Sequence, residues 1–266
     1  MITALYKKDW KAHWKLLLAI LVISAMYLTV IIFMFDPSGG DVLEQLAALK
    51  MPEEFLAAFG FTSADPSLLG FLASYLYGFL LLALPLVSTI IVANRLMAAM
   101  VDRGSMASIL SSAVTRRQVA ITQAAFLISY LMVQMLFITG AGLVISAAQF
   151  PGMLHQAGFL KLNGGLFMAH LAISALCFFF SCLFGETRRA LAFGAGLPVM
   201  FLVMQMLVNY NPDLKALRWL SFFSLFAPGD FVAGSPVWLP MLALALIATA
   251  LYAAGVVVFD KKDLPL

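Results

Sequence analysis

Six stretches of the chain carry no Asp, Glu, Lys or Arg, at about 16–35, 68–93, 119–148, 163–185, 190–210 and 238–259. Each reaches the roughly 20 residues that a helix needs to cross the hydrocarbon core of a bilayer. None alternates apolar and polar positions as a barrel strand does, so helices are the way these backbones satisfy themselves in lipid. The pattern predicts an all-α integral membrane protein with six transmembrane helices in a single domain, 1–266. The first run follows basic residues, as in a signal peptide. Its full spanning length and the lack of a small-residue cleavage site after it predict a retained span.

The polar segments between the runs set the orientation. With both termini in the cytoplasm (N-in/C-in), the inner segments hold Lys7, Lys8, Lys11, Lys15, Arg95, Arg103, Arg116, Arg117, Arg188, Arg189, Lys261 and Lys262. The outer segments hold only Lys50, Lys161, Lys215 and Arg218, a clear positive-inside bias. Within Met1–Trp14, the residues Ile2, Leu5, Tyr6, Trp10 and Trp14 fall at helical spacing on one face, with Lys7, Lys8 and Lys11 off it. That spacing predicts an N-terminal interfacial helix along the inner leaflet, either a simple anchor or an elbow supporting a moving bundle. The outer loop 36–66 has two short apolar faces, read as interfacial helices or as a lid over an exit path. The loop 211–237, with Trp219 and Phe222-Phe223, also suits an interface.

Composition narrows the function. A hydrophobic fraction of 63% with 11% charged residues excludes an ordinary soluble domain, and a net charge of +3 on scattered residues gives no nucleic-acid surface. Cys177 and Cys182, five apart, lie on different faces of one helix, which disfavours a disulfide between them as well as redox or metal chemistry. There is no G-x-x-x-x-G-K-[ST], no H-E-x-x-H and no G-x-S-x-G, so the chain is not expected to be an enzyme or to bind ATP by itself. The polar groups within the spans are neutral: Gln134, His170, Gln205 and Asn209, with scattered Ser and Thr. They are candidates for a substrate path through an apolar cavity. His170 with Ser174, one turn away, leaves open an intramembrane Ser–His enzyme, although a hydrogen-bonded packing histidine is the commoner case. Small-residue pairs Ala190/Gly194, Ala192/Gly196 and Ala250/Ala254 permit close helix approach, and Pro85 and Pro198 are expected to kink the second and fifth spans.

The segment 94–118 is the most informative polar interruption. Gly104 is a helix stop. Met106, Ile109 and Leu110 then form the apolar face of a short helix, and Thr115 with Gln118 makes a capping box for the third span. Such a helix either rests on the headgroups or docks in a groove of another protein. Here the chain resembles the permease subunits of ABC-2 type transporters. The family has an acidic-x-x-Gly-Thr-like element after the second span, then a Leu-Leu-Ser-x-Pro-x-Ser-Arg-like stretch. This chain reads Asp102-Arg103-Gly104-Ser105, then Ile109-Leu110-Ser111-Ser112-Ala113-Val114-Thr115-Arg116. It departs in the shorter acid-to-Gly gap, in Asp for Glu, in Ser for Thr and in Ala113 for Pro.

The resemblance implies an exporter in the plasma membrane of a bacterium. Two permeases, a second copy or a paralogue, would pair above two separate ABC ATPase subunits that bind ATP and Mg. No cofactor or metal would bind this chain and no residue of it would be catalytic. Residues 102–115 would form the cytoplasmic coupling helix, with Met106, Ile109 and Leu110 as anchors. Gly104 and Ser105 belong to the motif, and Asp102, Arg103, Arg116 and Arg117 would provide charge complementarity. Glu186-Thr187-Arg188-Arg189 is a second contact or else a positive-inside anchor. The charge-free spans suit a hydrophobic or amphipathic cargo, peptide or drug. The competing classes are the intramembrane enzyme at His170 and a non-transporting scaffold or sensor that recruits an ATPase.

Overall fold

The computed structural model describes residues 1–37, 57–59, 66–112, 114–211, 214 and 221–262. All regular structure among them is helical. In chain order it comprises α1 (Thr3–Phe33), α2 (Leu68–Tyr75), α3 (Leu80–Leu96), α4 (Ala98–Asp102), α5 (Ser105–Leu110), α6 (Arg116–Gln149), α7 (Gln156–Leu183), α8 (Thr187–Gly194) and α9 (Gly196–Tyr210). A 3-10 turn (Phe222–Leu225), α10 (Pro228–Val232) and α11 (Trp238–Lys261) complete it. Six helical units are long and apolar enough to cross a membrane: Thr3–Phe33, Leu80–Asp102, Arg116–Gln149, Gln156–Leu183, Thr187–Tyr210 and Trp238–Lys261. The chain is a multi-pass membrane protein. The expected outer-loop helices of 36–66, together with Trp219, fall almost wholly outside the described residues.

The central helix is α7, which packs against α3, α6, α8 and α11. In its most apolar stretch 67% of the residues are buried, against 22% in the corresponding stretches of Thr187–Tyr210 and Trp238–Lys261. The outer helices therefore present apolar side chains such as Val203, Leu207, Leu242 and Leu246 to the surroundings, as lipid contact requires.

Three expectations need correcting. The N-terminal segment is not a separate interfacial helix. With no Gly or Pro between Thr3 and Phe33 to break it, it continues directly into the first span, about 46 Å of one helix. Its buried face is Leu5, Asp9, His13 and Leu17. Trp10 stacks edge-on to Phe126 of α6 at 5.2 Å rather than lying free among headgroups, and the Ile2 amide donates to Thr122 Oγ1 at 2.8 Å.

The run 68–93 is not one span either. Ser67 caps α2 through the Gly70 amide at 3.1 Å, and the helix ends at Tyr75. The chain then turns with wide bonds from Tyr77 N to Leu72 O and from Leu81 N to Leu76 O, and the spanning unit starts at Leu80. Residues 221–237 of the last loop also differ from the expected interfacial segment, since Phe223, Phe226 and Phe231 are buried. Gly165 of α7 admits them: a Cβ there would sit 2.3 Å from the Phe231 ring.

Among the small-residue pairs, Ala190 and Gly194 are buried, and Gly194 lies against the α7 backbone at Cys177. Ala192, Gly196 and Ala250 are exposed. The seam of α11 runs instead through Leu244, Ala248, Tyr252, Gly255 and Phe259. Gly255 lets the Phe178 ring approach to 3.0 Å of the space a Cβ would occupy.

Candidate functional site

The segments that carry the candidate coupling residues gather at one end of the bundle. After α4, Gly104 takes a left-handed conformation, φ 72°, which ends that helix and starts α5 in a new direction. Ser105 Oγ donates back to the Met100 carbonyl at 3.1 Å, bracing the turn. On α5, Met106 is 1% exposed and belongs to the core. It holds α5 to the bundle and is not available as a docking anchor, which corrects its expected role. Ile109 and Leu110 are half-buried on the same short helix, and Arg103 is exposed. Ser111 and Ser112 donate to the carbonyls of Ser108 and Ile109, closing the last turn of α5. Thr115 and Gln118 form the expected capping box at the start of α6.

Side chains then link this end into one surface. Asp102 Oδ2 accepts from the Thr187 amide at 3.3 Å, the first amide of α8, where a carboxylate complements the helix dipole. The two candidate contact segments, 102–115 and 186–189, are thus joined. Arg116 Nη1 donates to the Lys262 carbonyl at 2.5 Å. Lys262 Nζ in turn donates to the last carbonyls of α7, Leu183 at 2.9 Å and Cys182 at 3.3 Å. Burial pushes the Lys262 ammonium below its ordinary pKa. A cleft of about 530 Å³ opens among Asp102, Gly104, Phe184, Glu186, Arg189 and Lys262. Glu186 and Arg189 pair across its rim at 3.1 Å. Arg117, exposed, faces away into a different groove.

The four neutral polar candidates of the spans do not form one path. His170 Nε2 donates to the Leu81 carbonyl at 2.9 Å. Pro85 has no N–H, and Leu81 is the residue four positions earlier whose carbonyl that N–H would have met. A second repair occurs on the same face of α7: Cys177 Sγ donates to the Gly194 carbonyl at 3.0 Å, and Gly194 stands four residues before Pro198. Between them, Ser174 exchanges a hydrogen bond with Tyr252 OH of α11 at 2.8 Å. Residues 170, 174 and 177 lie at helical i, i+4, i+7 spacing, so one stripe of α7 reaches α3, α11 and the 194–198 break. His170 and Ser174 each bond elsewhere, not to each other. Gln134 Nε2 donates to Ser88 Oγ at 2.9 Å, and Ser88 donates to the Pro85 carbonyl at 2.9 Å.

Gln205 and Asn209 are different. They bond each other at 3.4 Å and, with Tyr77, Ser74 and Asp230, line a cavity of about 300 Å³ toward the opposite end. Asp230 was not singled out in the sequence because it sits outside every charge-free run. No group of three or more possible metal ligands occurs among the described residues. No model of a known protein family matches the chain, and no curated protein sequence matches it significantly.

Proposed function

We propose that the chain is the permease subunit of an ATP-driven exporter of the ABC-2 type. It pairs with a second permease above two ATPase subunits that carry the ATP and Mg, in the plasma membrane of a bacterium. The observation that carries this reading is the Asp102–Thr187 bond. It fuses the α4–α5 corner to the start of α8, so that force on one short helix reaches two spanning units at once. Ile109 and Leu110 supply the apolar contact, and Arg103 with the Glu186–Arg189 pair supplies the polar rim. ATP shifts such a bundle only if the ATPase contacts differ between its two states, and α5, held by Met106 and pivoted at Gly104, is the element placed to feel that difference. The polar cavity at Gln205, Asn209 and Asp230 is where an amphipathic cargo leaves. The engaged partners of His170 and Ser174 favour packing over chemistry.

The test is reconstitution. Tagged wild-type chain is expected to retain an ABC ATPase on purification, with ATP hydrolysis that Ile109→Asp or Leu110→Asp lowers by about tenfold. A chain that binds no ATPase, or whose bound ATPase ignores both substitutions, sinks the proposal.

A further inference from the structure

A groove of about 880 Å³ runs along the outside of the bundle, between α6 and α11, with Phe167 and Leu171 of α7 as its floor. Its walls are apolar, among them Ile121, Ile128, Met132, Ala248 and Val256. Two uncharged hydroxyls, Thr249 and Tyr252, also line it. Thr249 donates to the Ala245 carbonyl, and Tyr252 donates to Ser174, whose own proton goes to the Leu171 carbonyl, so neither hydroxyl has a donor left for a phosphate. From Arg117 to Met132 the groove follows α6 for about 22 Å, a large part of the ~30 Å hydrocarbon core. One end is charged, with Arg117, Lys261 and Asp260 in the lining. Neighbouring Arg116 and Lys262 are occupied by backbone carbonyls. Arg117 and Lys261 have no ion-pair partner among the described residues.

We propose that this groove is a binding site for an anionic phospholipid of the adjoining leaflet, its acyl chain lying along Ile128 and Met132 and its phosphate held between Arg117 and Lys261. Ile121, Met132 and Val257, all lining residues, are 42%, 46% and 51% exposed on the outer surface, so the groove opens sideways, where acyl chains are the solvent. A second copy of the chain does not fit. A two-fold axis through the groove sets concave against concave and leaves its length unfilled. The site does not depend on an ATPase partner; it requires only that the chain span a membrane.

The test uses the full chain in detergent, with native mass spectrometry reading lipid retained from equimolar phosphatidylglycerol and phosphatidylcholine. Two cations opposed by Asp260 leave one net charge, and at about 1 kcal/mol per charge the expected preference for phosphatidylglycerol is at least about fivefold. Arg117→Gln with Lys261→Gln should abolish the preference, and Asp260→Asn should raise it. Ile128→Trp, which fills the groove, should reduce retention of both lipids. Equal retention by the wild type overturns the proposal, as does a preference unmoved by the charge variants. Two other results also overturn it: oleate displacing phosphatidylglycerol at equal concentration, which marks a site for single-chain amphiphiles, or a lipid-free dimer that Ile128→Trp dissociates. If the double variant fails to fold, by loss of its helical circular dichroism, the rise or its absence in Asp260→Asn decides.

Discussion

Replacing His170 by Leu should destabilise the bundle in a way that depends on Pro85. The substitution puts an apolar side chain of similar size at a fully buried position but removes the donor 2.9 Å from the Leu81 carbonyl. Orphaning a buried acceptor costs about 1–3 kcal/mol in proteins generally, whereas interhelical hydrogen bonds measured inside membranes average ~0.6 and reach ~1.7 kcal/mol. The overlap of the two, about 1–1.7 kcal/mol, is the expected loss. Pro85→Ala restores an N–H four residues after Leu81, so the same carbonyl then has a donor within its own helix. In that background His170→Leu should cost less, by about 0.6–1.7 kcal/mol. The assay is equilibrium unfolding of the four proteins in mixed micelles, followed by circular dichroism and assembled into a double-mutant cycle. Two substitutions that add within ~0.3 kcal/mol would show that His170 and Pro85 are energetically independent and that the repair reading is wrong.

Three further outcomes follow from the same geometry. Cys177 and Cys182 are buried free thiols, so neither should react with a water-soluble maleimide until the protein is unfolded; fast labelling of the folded chain would contradict the packing of α7. Gly104→Ala places a Cβ on a backbone with φ 72° and should cost about 1–2 kcal/mol, read as a lowered unfolding midpoint, while Gly196→Ala, in open space, should not lower it. On the permease reading proposed above, Asp102→Ala, which removes the link to α8, should uncouple hydrolysis from transport in proteoliposomes, with cargo flux per ATP falling several-fold while the ATPase stays bound; unchanged coupling would place force transmission elsewhere.

The positions of most spans were legible because charge is so costly in lipid that its absence over 20 residues marks a helix. Where helices break was not. Pro85 looked like the interruption of the second span, yet α3 continues through it, because His170, distant in sequence, supplies a hydrogen bond to the carbonyl that proline leaves open. The actual break at 76–79 carries only Gly78 as a local signal. The N-terminal amphipathic pattern was real, but a pattern cannot say whether the apolar face meets lipid or protein, and Trp10 meets Phe126. The capping box at Thr115 and Gln118 was readable since both partners lie within one turn. The buried Met106 was not, since periodicity places it on an apolar face without naming what that face touches. Likewise Gln134, His170, Gln205 and Asn209 looked equivalent as neutral polar residues in apolar runs; only their neighbours separate two packing groups from two that line a cavity.

The stripe of α7 at 170, 174 and 177 also bears on how the chain is made. Leu81 and His170 are 89 residues apart. At about 5–20 residues per second of synthesis, α3 waits roughly 4 to 18 s for its repairing donor after leaving the ribosome. Cys177 and Gly194, 17 residues apart, meet within a few seconds. During the longer interval α3 holds an unsatisfied carbonyl at membrane depth. It is then the segment of the nascent chain most in need of water, of the insertion machinery or of a chaperone. A chain truncated before residue 170 should be cleared by quality control even with its first three spans complete.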